Sequence, residues 1–335
     1  MRTLPDEFDG GALTGLLADG WRFDAESVEY APVGFGSYHW VVTGTDGTRG
    51  FVTVDDLDRS PWLGDTRDAV FDGLRRAFET SASLRDGGLR FVVAPILTRL
   101  GEALRRAGPR HTVALFPFVE GETGQSGQHD PADRAAVVAM LADLHRATPA
   151  AGSVARRLDL ELPGRRGHDA ALQDLDRTWS SGPFAEPARQ ALDRHSNDVA
   201  ELLALFDRLS VEVAKRSTDW VVTHGEPHAR NVMLTGEGRV LVDWDTVALA
   251  PPERDLWMLV EDAADDEATV YADATGRRVD QVALDFFRLM WDLSDLAAFT
   301  DVLRSPHRHS EDTVKTFDGL TSCVAIRDQW AAQLD

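Results

Sequence analysis

The segment His224-Gly225-Glu226-Pro227-His228-Ala229-Arg230-Asn231 places a carboxylate two residues after a histidine and an asparagine five residues after the carboxylate. Asp243-Trp244-Asp245 follows, with Asp243 twelve residues beyond Asn231. A carboxylate can orient a hydroxyl and accept its proton. An amide oxygen and one or two carboxylates can hold Mg²⁺, which prefers few protein oxygens and keeps phosphates and waters in its shell. Together these groups meet the needs of phosphoryl transfer.

The flanking elements must position them. Asp219 to Thr223 is a short apolar run into the octet, and Pro227 disfavours helix at Glu226, which predicts extended or turn backbone there. Asn231-Val232-Met233-Leu234, the turn Thr235-Gly236-Glu237-Gly238 and Val240-Leu241-Val242 predict a β-hairpin whose ends carry Asn231 and Asp243 to one metal ion. Earlier, residues 28–33, 37–43, 51–54, 90–96 and 111–118 predict five strands, with a helix over 65–85 inserted after the third. That is an antiparallel-leaning α+β pattern. Helices follow over 131–147, with Asp130 as N-cap and Pro131 at its first position, over 187–216 as one long helix, and over 282–303. The expected division is an N-terminal lobe over 1–117 and a mainly helical lobe over 118–335.

Composition narrows the partners. Hydrophobic residues at 43% and charged residues at 27% suit a globular chain, and no apolar run reaches a membrane span. The N-terminus has no apolar leader, and Cys323 is the single cysteine, so the cytoplasm is the expected compartment. The net charge of −21 argues against nucleic acid and anionic membrane as partners. It suits a cationic small molecule, although acidity also serves solubility. Lys215 and Lys315 are the two lysines among 35 basic residues.

The octet has the layout of a kinase catalytic loop, with Glu226 where kinases carry Asp. The octet, Val242-Asp243-Trp244-Asp245 and Ala250-Pro251-Pro252-Glu253-Arg254-Asp255-Leu256 resemble the aminoglycoside phosphotransferases and related small-molecule kinases, with Asp245 and the Pro-Pro-Glu-Arg-Asp-Leu stretch most similar to the spectinomycin phosphotransferase branch. The resemblance implies a two-lobed, protein-kinase-like fold that uses ATP or GTP with Mg²⁺. Glu226 would be the catalytic base, Asn231 and Asp243 the Mg²⁺ ligands, Asp245 an outer acid, and His224 and Asp255 supports of the loop. Phe116-Pro117-Phe118-Val119-Glu120-Gly121 resembles the hinge that meets adenine through its backbone, and Leu141-Ala142-Asp143-Leu144-His145 the helix after it. Gly34, Gly36 and Ser37 would form the glycine-rich turn over the phosphates, with His39 in place of a third glycine. Trp291, Asp292 and Asp295 are candidates for holding a cationic aminocyclitol, against the reading of a solvated helix face with its Trp in the core.

One departure outweighs Glu for Asp. The strand Phe51 to Asp56 aligns Thr53 with the lysine that pairs with nucleotide phosphates, and no lysine precedes Lys215. Arg49, Arg59 or His39 would substitute, or Mg²⁺ would carry the charge alone. Glu79 is the acid expected to partner that lysine. Two rivals follow: a kinase of another small metabolite on the same fold, and a catalytically silent pseudokinase.

Overall fold

A computed structural model describes residues 10–34, 36–60, 62–124, 127–216 and 219–334; Phe35 and the N-terminal residues 1–9 lie outside them. The chain forms two compact units, one of residues 1–158 and 219–279, the other of 159–218 and 280–335. The first unit opens with helix α1 (Gly10–Trp21), which the sequence reading missed, and continues through β1 (Ala25–Ala31), β2 (Tyr38–Gly44), β3 (Arg49–Asp56), α2 (Arg67–Asp86), β4 (Arg105–Ala107) and β5 (His111–Pro117). The five strands form an antiparallel sheet in the order β1-β2-β3-β5-β4, as the α+β expectation required. Alternation along the strands gives the sheet two apolar faces. Val42, Val52, Val54, Val113 and Leu115 pack under Leu13 and Leu17 of α1, whereas Ala114 and Phe116 pack under Val70, Leu74 and Phe78 of α2. Thr66 caps α2 by accepting the Ala69 N–H.

The expected strand over 90–96 is a correction. The segment makes one isolated bridge, at Val92 to Leu241, where Val93 N–H donates to Leu241 O and Leu241 N–H to Phe91 O, and its one bond to the sheet runs from Ile96 N–H to Leu115 O of β5. Pro95 also lacks the donor a continuous ladder needs. The fifth strand is β4 instead. This bridge is one reason the compact units do not part at 117/118. Another is β6 (Glu122–Thr123), which pairs with the later hairpin. Helix α3 (Pro131–Arg146) has the predicted cap, with Asp130 accepting the Ala132 N–H, and α4 (Thr148–Ala151) follows.

The second unit begins with α5 (Arg165–Leu172), α6 (Ala185–Arg194) and α7 (Ser196–Arg216). The single helix expected over 187–216 is therefore two, broken at His195-Ser196. Leu192 and Val199 keep their apolar spacing across the break, which is why periodicity alone hid it. The chain then returns to the first unit as β7 (Val221–Thr223), β8 (Val232–Thr235), β9 (Gly238–Leu241), β10 (Ala248–Ala250), α8 (Glu253–Leu256) and α9 (Asp266–Thr275). β8 and β9 form the predicted hairpin, and β7 pairs with β10. The second unit closes with α10 (Gln281–Arg304), capped by Asp280, then α11 (Glu311–Cys323) with a Ser310–Thr313 capping box, and α12 (Ala331–Leu334). No helix among the described residues is long and apolar enough to cross a membrane.

The second unit contains a buried polar residue with a pH signature. His168 on α5 is 1% exposed, and neither ring nitrogen has a hydrogen-bond partner. Burial pulls its pKa down to about 4. The unfolded chain therefore binds the proton near the ordinary 6.5 while the folded chain refuses it, so stability falls as pH drops through the window from 6.5 to 4. Urea titrations of wild type and His168→Leu between pH 7 and 4 should diverge by roughly 3 kcal/mol, with the variant losing less. Parallel pH profiles would show that the imidazole is protonated in the fold.

Candidate active site

The loop that carries Glu226 is built on Asp255. Its carboxylate, 0% exposed, accepts the His224 N–H at 2.8 Å and the Gly225 N–H at 2.6 Å, and meets His145 Nε2 at 3.0 Å. His145 Nδ1 in turn lies 2.9 Å from the Tyr271 hydroxyl. Burial opposes ionisation of Asp255, but the His145 hydrogen bond and the nearby Arg254 charge outweigh it and hold its pKa below 3.8. Arg254 lies under the loop. Its Nη1 donates to Thr223 Oγ1 and its Nη2 to Thr246 O, both at 2.9 Å. Gly225 has φ +103°, and a Cβ there would stand 2.3 Å from the Arg254 guanidinium. The Gly at this position therefore follows from both backbone and packing.

His224 is fully buried, and its ring holds backbone on both sides. Nε2 lies 2.9 Å from Val242 O, and Nδ1 accepts the Glu226 N–H at 3.2 Å. That pair of bonds requires the neutral Nε2–H tautomer, consistent with burial lowering its pKa to about 4. Glu226 follows in a loop, as the Pro227 argument predicted, and is half-buried rather than packed in core. Asn231 donates its side-chain N–H to Glu226 O at 2.9 Å, which leaves Oδ1 as an acceptor. Val242 N–H donates to Asn231 O at 3.0 Å, so the hairpin sets Asn231 beside Asp243.

Asp243 has φ +68°, a left-handed backbone that a non-glycine residue adopts only under constraint. Its side chain is open to water but surrounded by protein, which pushes its pKa up, while a hydrogen bond with Asp245 opposes the shift. Burial pushes Asp245 up more strongly, followed by the charges of Asp243, Glu226 and Asp55. Two carboxyls that share a hydrogen bond must share a proton, and a divalent cation would take that proton's place. No cluster of three or more His, Cys, Asp or Glu stands preassembled for a metal among the described residues. Mg²⁺ bound chiefly through phosphates and waters needs fewer protein ligands, and Asn231 Oδ1 with Asp243 supplies hard oxygens of the right kind.

Asp55, two residues after Thr53 on β3, belongs to this network. It is 3% exposed, accepts the Ser37 hydroxyl at 2.6 Å and the Thr112 hydroxyl at 3.2 Å, and is raised to about 6 by burial, with Asp243 adding to the shift. Ser37 thus ties the glycine turn to β3. Gly34 and Gly36 both have positive φ, at +71° and +104°. Asp56 faces away and forms two hydrogen bonds with Arg110. Phe116 is buried beneath α2, so only its backbone could meet a ligand, and the Phe118 ring lies 3.7 Å under the Arg49 guanidinium.

At the lysine position, Thr53 Oγ1 lies 3.3 Å from His39 Nδ1, and burial drives His39 down to about 3. Burial therefore opposes a charge on His39, the replacement cation expected from the sequence. Glu79 is taken by Arg75 at 2.6 Å, Arg49 pairs with Glu120 and Arg59 with Asp56.

Trp291, Asp292 and Asp295 lie on α10 in the second unit. Trp291 is half-buried rather than core. Burial raises Asp292 to about 6, with the Arg288 charge opposing, and raises Asp295 to about 7, with the Asp292 charge adding to it. Asp285 on the same helix is engaged by Gln281 and Arg288.

Comparison with known proteins agrees with this geometry. A protein named StrN from Streptomyces griseus is 28% identical over 270 residues, covering 78% of this chain and 79% of its own. The fold matches that of spectinomycin phosphotransferase APH(9)-Ia, crystallised with ADP and spectinomycin, with a TM-score of 0.71 at 16% identity over 97% of this chain and 100% of the other. It also matches amicoumacin kinase hAmiN, solved with AMP-PNP, at 0.59 and 13% identity over 96% and 94%, and choline kinase LicA of Streptococcus pneumoniae at 0.57 and 14% over 94% and 98%. Residues 36–298, which span the glycine turn, the Glu226 loop and most of α10, match the model of the phosphotransferase enzyme family, and the chain belongs to that family.

Proposed function

We propose that the protein transfers the γ-phosphate of ATP or GTP to a hydroxyl of a small cationic acceptor, with a spectinomycin-like aminocyclitol as first candidate. The observation that carries the reading is the arrangement of Glu226, Asn231 and Asp243 on one hydrogen-bonded loop and hairpin. The acceptor oxygen attacks the γ-phosphorus, its proton passes to the Glu226 carboxylate, and the bond to the β-phosphate oxygen breaks to release the nucleoside diphosphate. Mg²⁺, when bound, neutralises phosphate charge. Asn231 Oδ1 and Asp243 would hold it, and Asp245 would support Asp243. His224 and Asp255 keep the loop in register.

The cationic preference rests on Asp292 and Asp295 and on the net charge of −21. A half-buried carboxyl pair with raised pKa values gains most from an ammonium partner, which restores both to the charged state. Diphosphate release measured across aminocyclitols, aminoglycosides, amino alcohols and neutral sugars tests this. Spectinomycin-like acceptors should give the highest kcat/KM, and Asp295→Asn should raise KM for cationic acceptors about tenfold or more without changing KM for the triphosphate. Neutral sugars outranking every cationic acceptor would overturn the acceptor class. Triphosphate binding with no turnover on any acceptor would favour the pseudokinase, which the neutral Thr53–His39 pair suggests.

A further inference from the structure

Side chains hold the backbone around Glu226 at successive points. Its N–H donates to His224 Nδ1 at 3.2 Å, and its carbonyl accepts from Asn231 Nδ2 at 2.9 Å. Pro227 comes next. Its ring fixes φ, so the soft torsion left at that residue is ψ, which sets where its carbonyl points. That carbonyl has a partner from outside the loop: His129 Nε2 lies 2.7 Å from Pro227 O. A carbonyl oxygen only accepts, so Nε2 carries the proton and donates. The neutral Nε2–H imidazole and the imidazolium both supply that donor, so the bond needs no particular charge on the ring.

His129 is itself a fixed point. It is 6% exposed and directly precedes Asp130, the N-cap of α3. Backbone bonds lace the chain ahead of it to the same loop. Gly124 N–H donates to Ala229 O at 2.9 Å, and Ala229 N–H donates to Gly127 O at 3.3 Å. A Cβ at Gly124 would stand 2.6 Å from Ala229 Cβ, so this close approach requires glycine. Just upstream, Glu122 and Thr123 of β6 pair with Leu234 and Met233 of β8, the strand that leads out of Asn231. The two bonds to Ala229 are made by backbone and do not depend on a particular side chain. The bond to Pro227 does depend on one, because it needs a donor held at the length of an imidazole.

We propose that His129 is a positioning residue for phosphate transfer: by fixing the Pro227 carbonyl it locks the backbone on the C-terminal side of Glu226 and with it the direction of the Glu226 carboxylate. The proposal rests on the phosphotransferase reading above, in which Glu226 accepts the proton of the acceptor hydroxyl. His129 acts through the backbone and takes no proton itself.

The choice of side chain and of background separates this role from a purely structural one. The amide nitrogen of Gln reaches the place of imidazole Nε2, whereas that of Asn stops at the place of Nδ1. Single turnovers with magnesium ATP or GTP and the fastest acceptor of the panel above give the rate of transfer. His129→Gln should stay within about threefold of wild type, and His129→Asn should fall by about ten- to a hundredfold. Triphosphate affinity, read by calorimetric titration, should stay within about threefold of wild type in both. The deciding variant is His129→Asn combined with Glu226→Gln. Once the proton acceptor is gone its placement no longer matters, so the second substitution should cost less than about threefold further. An equal cost of His129→Asn in both backgrounds, a His129→Gln as slow as His129→Asn, or a His129→Asn within threefold of wild type would overturn the assignment. Wild type that transfers phosphate to no acceptor would instead overturn the phosphotransferase reading itself.

Discussion

Glu226→Gln lowers kcat for phosphate transfer by roughly a hundred- to ten-thousand-fold and leaves triphosphate affinity near that of wild type. The substitution preserves the shape of the side chain. It also leaves intact the two bonds by which the backbone of Glu226 holds the loop, the N–H to His224 Nδ1 and the carbonyl to Asn231. Only the proton acceptor is lost, so the effect should fall on the chemical step and not on KM. Glu226→Asp is the informative companion. The loop is anchored on both sides of position 226, so its backbone cannot advance to make up for the shorter side chain. A displacement of about 1 Å costs up to a hundredfold, and Asp, although common at this position in kinases, should be the weaker base here. Single-turnover kinetics on both variants checks the prediction, and a Glu226→Gln enzyme within threefold of wild type would remove Glu226 from the chemistry.

The largest stability effect is expected at Asp255. Asp255→Ala strips partners from the His224 and Gly225 amides, from His145 and from the Arg254 charge, all in a region closed to water. Breaking a buried charged network of this kind costs about 3 to 5 kcal/mol. Because the folded pKa of Asp255 lies below the ordinary 3.8, its contribution is present throughout neutral pH and is lost only as pH falls below that value. Urea unfolding at pH 7 should show the full deficit, and turnover should drop with it, since the amides that Asp255 holds belong to the residues before Glu226. A deficit under 1 kcal/mol would mean that the loop is held by other means.

Local spacing made much of this site legible. The interval from Glu226 to Asn231 and the hairpin to Asp243 are short, so sequence separation translates directly into geometry, and the structure shows the Asn231–Glu226 and Asn231–Val242 bonds that result. Pro227 and the Gly236–Gly238 turn fixed backbone conformations that propensity could read. Contacts between distant segments were the part that could not be read. Asp55 has no local signal in the sequence, and Ser37, Thr112 and Asp243 surround it only in the fold. Residues 90–96 carry strand composition but form only an isolated bridge at Val92 to Leu241, a choice made by tertiary contact.

The central claim is that Glu226 directs phosphate from a nucleoside triphosphate onto an acceptor hydroxyl. Phosphorus NMR of reactions containing magnesium ATP or GTP and a spectinomycin-like acceptor tests it most directly. Wild type should produce a new phosphomonoester resonance coupled to an acceptor carbon-bound proton, in step with diphosphate formation, and Glu226→Gln should not. Diphosphate formed with free inorganic phosphate and no ester, or an ester formed equally by both proteins, would contradict it.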